Sequence, residues 1–210
     1  NHTHTHTRRR VVFYFYLLMT QNKLIIEAFA GHSKLIELVK SDLSDEIEEV
    51  GLMLAQSLAA GGTVFWCGNG GSAADSQHLA AELVGRFKND RQPLRSLALT
   101  TDTSVLTCIS NDYSYESIFA RQLEALGRPG DVLIGITTSG NSANVKQAFK
   151  SAKKIELKTV SLLGKDGGDC KSLADYSLLI PSYDTARIQE MHILIGHILC
   201  ELIEKEMGFA

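Results

Sequence analysis

At 210 residues the chain is long enough for one domain with a sizeable core, and 44% hydrophobic with 21% charged residues is ordinary for a globular protein. A net charge of −3 gives no electrostatic reason to expect nucleic acid or an anionic membrane as partner. Cys67, Cys108, Cys170 and Cys200 are scattered without a CxxC, as suits free thiols in a reducing compartment.

The first 18 residues do not match the rest. Asn1–Thr7 alternates His and Thr, Arg8–Arg10 is basic, and Val11–Leu18 is apolar. No small-residue cleavage site follows, and the apolar run is too short to span a bilayer. Residues 1–18 read as an appended leader with a metal-affinity tag. Met19 reads as the natural start, and 19–210 as a single domain. His2, His4 and His6 are therefore set aside.

Apolar residues recur at helical spacing over Leu24–Val39 and again over Ser44–Ala60, which predicts two leading helices ended by Gly61-Gly62. Thr63–Cys67 is a buried-type strand, Gly68–Ser72 a glycine turn, and a helix follows from Ala73. Ser96–Leu99 is a second strand, with a polar turn at Thr100–Thr103. A short helix runs to Ser110 and is broken by Asn111-Asp112. Tyr115–Leu126 is helical, stopped by Gly127 and Pro129. Asp131–Ile136 is a strand that enters the turn Thr137–Ser142, and Ala143–Lys154 is helical. Lys158–Leu163 and Tyr176–Ile180 are strands, and Asp184–Met207 is a long terminal helix. Strands alternating with helices predict an α/β fold, a five-stranded, mainly parallel sheet with helices on both faces. In such sheets ligands sit at the carboxyl ends of the strands, where the polar turns lie.

Strand, glycine turn and helix present backbone N–H groups and a helix N-terminus to an anion. Gly68-x-Gly70-x-x-Ala73 also fits a dinucleotide fingerprint, with Asp102 as a distant ribose acid; that reading predicts a nicotinamide dehydrogenase. The second turn argues for a phosphomonoester instead. Thr137, Thr138, Ser139 and Ser142 place four hydroxyls within six residues at a helix start. The plainer alternative is that Ser139 or Ser142 only caps that helix. His78 and Glu82 share one helical face, a pairing suited to a metal or to proton transfer. The terminal helix adds Gln189, His192 and His197. Gln189 and His197 are separated by about 12 Å along a straight helix, so His192 is the easier partner for Gln189 and spacing does not prefer His197.

Four stretches together resemble the sugar isomerase (SIS) domain and, within it, the phosphoheptose isomerases: CGNGGSAADSQHLAAELVGRF, TTDTSVLTCISNDYSYE, GDVLIGITTSGNSANV and ARIQEMHILIGHIL. They cover about Leu24 to Met207. The resemblance implies a three-layer α/β/α sandwich in which Asn69, Gly70, Gly71 and Ser72 contact the sugar phosphate. It puts Asn111 and Asp112 along the sugar and Thr137, Thr138, Ser139 and Ser142 on the phosphate. It also implies one zinc per subunit on His78, Glu82, Gln189 and His197, with Glu82 and His197 moving protons and Glu82 and Gln189 also touching substrate. The reaction implied is conversion of sedoheptulose 7-phosphate to D-glycero-D-manno-heptose 7-phosphate, the first step of ADP- or GDP-heptose synthesis for lipopolysaccharide or capsule. A cytoplasmic homotetramer with active sites at subunit contacts comes with it, and no nucleic acid or membrane partner. Ala186 stands where some relatives have Asp, so any helper role of that Asp is missing. The rival from another class is a non-catalytic SIS protein that binds the bacterial replication initiator. It lacks counterparts of Glu82 and His197, both present here.

Overall fold

The computed structural model describes the backbone of Thr3–Phe209 and the side chains from Asn22 to Phe209. Its elements are α1 (Thr3–Ala59), β1 (Val64–Gly68), α2 (Gly71–Val84), β2 (Ser96–Ala98), α3 (Thr103–Asp112), α4 (Ile118–Leu126), β3 (Val132–Thr137), α5 (Ala143–Lys154), β4 (Lys158–Leu163), α6 (Cys170–Leu173), β5 (Tyr176–Leu179) and α7 (Thr185–Glu206). The five strands form one all-parallel sheet in the order β2-β1-β3-β4-β5. β1 and β3 are neighbours, so the turns that follow them lie side by side at the same edge.

Alternate strand residues point to opposite faces, and both faces are covered. Val64, Trp66, Ile134, Ile136, Val160 and Leu162 pack with α1, α2 and α7. Phe65, Cys67, Leu133 and Leu163 pack with α3, α4, α5 and α6. This is the expected three-layer sandwich. β3 is buried along its whole length, as a central parallel strand between two helix layers must be.

The two expected leading helices are one helix, α1. Residues 40–43 contain neither Gly nor Pro to stop it. The hydroxyls of Ser41 and Ser44 donate back to the carbonyls of Leu38 (3.1 Å) and Lys40 (2.6 Å), so polar residues that favour turns are absorbed into the helix. The leader boundary at residue 18 concerns side chains outside the described residues. α3 runs through Asn111 and Asp112 instead of breaking before them. The Asn111 amide donates to the Asp112 carboxylate at 2.8 Å rather than competing for the backbone. The stretch Tyr115–Ser117 is a single 3₁₀ turn ahead of α4, and the four-residue α6 had no periodic signal to announce it.

Candidate active site

α2 and α7 lie against each other on one face of the sheet. Their closeness depends on Gly196: a Cβ there would stand 2.4 Å from Leu79 Cδ1. Each of these residues precedes or follows a histidine. His197, next to Gly196, meets His78, next to Leu79, with their Nε2 atoms 2.9 Å apart. Glu82, one turn on from His78, brings Oε1 to 3.1 Å from the same His78 nitrogen. His78, Glu82 and His197 thus offer three ligand atoms, all within 4.8 Å of one another.

This donor set fits zinc. Two imidazole nitrogens and a carboxylate are its usual N/O ligands, and a tetrahedral ion bound at about 2.0 Å separates its donors by about 3.3 Å. Two of the three donor pairs stand at 2.9 and 3.1 Å, a few tenths of an ångström short of that separation. Phe87 stacks on the outer side of His197, ring centroids 5.4 Å apart and planes 24° off parallel, which fixes that imidazole from behind. Asp75, one turn before His78, has its carboxyl pushed up by burial and drawn partly back by the two histidines.

The loop that carries Phe87 is pinned from below by a buried ion pair. Glu204 of α7 accepts from the backbone N–H groups of Phe87 (3.0 Å), Lys88 (3.1 Å) and Asn89 (3.1 Å), and from Arg91 Nε (2.9 Å). Arg91 in turn donates to the carbonyls of Glu82 and Leu83, both at 2.9 Å, and so closes the open C-terminal end of α2. Both side chains of the pair are at most 1% exposed. Burial alone raises the Glu204 carboxyl; the three backbone donors and the guanidinium more than reverse this and hold it below the usual carboxylate range.

Two helix starts face the same edge. Their N-cap residues, Gly70 of α2 and Ser142 of α5, supply no side-chain cap. By contrast Asp102 caps α3 by accepting from Val105 N (3.0 Å), and Asp184 caps α7 through Ala186 N (2.9 Å). The Ser142 hydroxyl pairs with Thr137 Oγ1 at 2.9 Å, and Ser139 Oγ accepts from Asn141 N at 3.2 Å. The simple capping role for Ser139 or Ser142 is therefore not what the α5 start shows. The ribose role for Asp102 fares no better, because its carboxylate is engaged at α3. Gln189 lies over the glycine turn: its Nε2 is 2.8 Å from where a Cβ on Gly71 would stand. Gly71 is seven residues before His78, about 10 Å along α2, so the Gln189 amide sits at the anion end of the helix.

The model of the SIS domain family matches residues 29–164. A phosphoheptose isomerase of Clostridium acetobutylicum is 56% identical over 163 residues, 78% of this chain and 83% of that protein. One from Helicobacter pylori is 52% identical over 187 residues, 89% of this chain and 97% of the relative. The solved phosphoheptose isomerase of Neisseria gonorrhoeae superposes with a TM-score of 0.84 at 42% identity, covering 88% of this chain and 98% of that one. The chain belongs to the phosphoheptose isomerase family of SIS-domain proteins.

With the chain placed among the phosphoheptose isomerases, the choice between His192 and His197 has a structural answer. His192 is fully buried, five residues before His197, and its Nε2–H donates to Leu163 O at 3.0 Å. It ties α7 to the end of β4 and takes no part in the cluster. Its Nδ1 is buried without a partner, and burial lowers the ring's pKa to about 4. The unfolded chain, with an ordinary histidine near 6.5, therefore binds a proton that the folded state refuses. This contribution to stability is whole above about pH 6.5 and is lost as pH falls toward about 4. Measured unfolding free energies should show that slope, and His192→Gln, which keeps a donor for Leu163 O, should flatten it.

Two residues of this site gave no local signal. Asn144, at the start of α5, and Tyr115, on the 3₁₀ turn, both bond the side chain of Asn69 (2.8 and 3.0 Å). Asn111 and Asp112 lie exposed just before Tyr115, on the segment that this contact brings to the glycine turn.

Proposed function

We propose that this phosphoheptose isomerase converts sedoheptulose 7-phosphate to D-glycero-D-manno-heptose 7-phosphate through an enediol. The observation that carries the reading is the convergence of His78, Glu82 and His197 on one side of α2, whose uncapped N-terminus faces the hydroxyl-rich turn after β3. The 7-phosphate occupies the backbone of Asn69–Ser72 and the hydroxyls of Thr137, Thr138, Ser139 and Ser142. Both helix starts favour a dianion there without any Lys or Arg. Asn111 and Asp112 hold the sugar hydroxyls. Gln189, over Gly71, is placed for the substrate end; its metal contact requires the side chain to lean along α7 toward His197.

Interconversion of a 2-ketose and an aldose moves a proton between C1 and C2. Glu82 is the group that takes it; its side chain is 26% exposed and its carboxylate stands 3.1 Å from the His78 imidazole on the same helix face. His197, held by Phe87, manages the proton on the neighbouring oxygen as negative charge develops. His78, Glu82, His197 and Gln189 would hold a zinc ion, which when bound would supply Lewis-acid polarisation of the carbonyl. The non-catalytic SIS alternative lacks counterparts of Glu82 and His197; here both stand in the cluster, which favours an enzyme.

Heptose synthesis for lipopolysaccharide or capsule belongs to the same reading, as does a cytoplasmic setting. No described helix is long and apolar enough to cross a membrane. A homotetramer is supported by the exposed apolar side chains of Leu24, Ile25, Ile26 and Phe29 on α1. The domain reading, a leader over 1–18 and one SIS domain over 19–210, is part of the proposal. The test is turnover of sedoheptulose 7-phosphate by leader-free protein before and after a chelator, with zinc added back. Activity should vanish with the metal and return with zinc. Turnover that ignores the chelator would remove zinc from the account, and binding of the replication initiator without turnover would favour the regulator.

A further inference from the structure

We infer that Asn144 is a positioning residue for phosphate recognition, acting through Asn69, an inference that rests on the phosphate reading of the two turns. Asn144 and Asn69 form a reciprocal carboxamide pair. Asn69 Nδ2 donates to Asn144 Oδ1 at 2.9 Å, and Asn144 Nδ2 donates to Asn69 Oδ1 at 2.8 Å. The second acceptor site of Asn144 Oδ1 takes the N–H of Val145 at 2.9 Å, and that of Asn69 Oδ1 takes the Tyr115 hydroxyl at 3.0 Å. Both carbonyl oxygens thus have their two acceptor sites filled, so the orientation of both amides is fixed. Reversing either would set nitrogen against nitrogen and oxygen against oxygen.

Two consequences follow for the site. The Asn69 side chain is committed to the protein, so its contact with a phosphate comes from its backbone and that of the glycines after it. The two turns belong to different strands and are 75 residues apart in sequence. Beyond the sheet itself, this pair fixes the start of α2 relative to the start of α5, and so the gap between two sets of anion donors. Asn144 is only 3% exposed, which protects its bonds from competing water. Tyr115 adds a third segment, the one that follows Asn111 and Asp112, so phosphate-end and sugar-end residues share one anchor.

The experiment compares wild type, Asn69→Ala, Asn144→Ala, the double variant and Asn144→Ser. Steady-state kinetics on sedoheptulose 7-phosphate are read beside calorimetric binding of that sugar phosphate and beside melting temperature. Serine is too short to reach Asn69 but keeps a hydroxyl at the helix start, so it removes the pair while leaving a polar side chain there. Loss of these buried bonds should raise KM about tenfold while kcat stays within about threefold. The double variant should lose no more than the worse single variant, because the two residues act as one unit. Losses that multiply, or variants that melt lower yet bind with unchanged KM, would show a merely structural role and overturn the inference alone. Failure of folded wild type to bind the sugar phosphate would overturn the phosphate reading, and this inference with it.

Discussion

Glu82→Gln is expected to lower kcat for sedoheptulose 7-phosphate by about 10³-fold, within the range that loss of a positioned acid–base group gives. The substitution keeps the size of the side chain and one oxygen that can face His78. The backbone carbonyl of residue 82 still accepts from Arg91, so the end of α2 stays closed. Metal content must be measured on the same preparation, because Glu82 is proposed to serve as ligand and base, and a carboxylate held tightly by zinc is a weaker base. Zinc retained with turnover lost supports the proton-transfer role. Zinc and turnover both retained would show that Glu82 is not the base. His78→Ala gives the complementary result: metal affinity falls, while the proton-transfer pair Glu82 and His197 remains.

The second large effect concerns stability. Glu204→Ala should destabilise the fold by about 3–5 kcal/mol, the usual cost of removing one partner of a buried ion pair. For a chain of this size that lowers the melting temperature by something on the order of 10 °C. Arg91 would keep its charge in the interior, and three backbone N–H groups would lose their acceptor. Activity should suffer even below the melting temperature, because the released loop carries the Phe87 ring behind His197. Glu204→Gln, which keeps one acceptor oxygen, should do less harm. The pH dependence has a defined sign. The carboxyl is held below its ordinary value of 4.5, so its contribution is whole above that pH and is lost as pH falls through the lower folded value. A variant that melts with the wild type would show that the pair is neutral and the loop is held elsewhere.

Much of the fold was legible because its signals are local. The bounds of α5 and β4 coincide with the sequence reading, since α5 starts after a polar turn and β4 is a short stretch with strand-forming residues that stops at Gly164. The single helix α1 was misread because serines and charges look like a loop until their hydroxyls are seen turned back on the helix. In the site, His78 and Glu82 were legible from their spacing on one helix. Joining them to His197 rather than His192 needed the family resemblance, and the physical reason lies in Gly196, which lets α7 close on Leu79. Arg91, Glu204, Asn144 and Tyr115 were not legible. Each acts on a partner distant in sequence, and nothing in the residues around an Asn or a Glu announces such a partner.

The central claim is tested most directly by incubating leader-free, zinc-loaded protein with sedoheptulose 7-phosphate in D₂O and following the sugar by NMR. The account predicts an aldoheptose 7-phosphate that carries deuterium at C2, the mark of a proton passed through a group in exchange with solvent. No conversion by folded, zinc-loaded protein would contradict it.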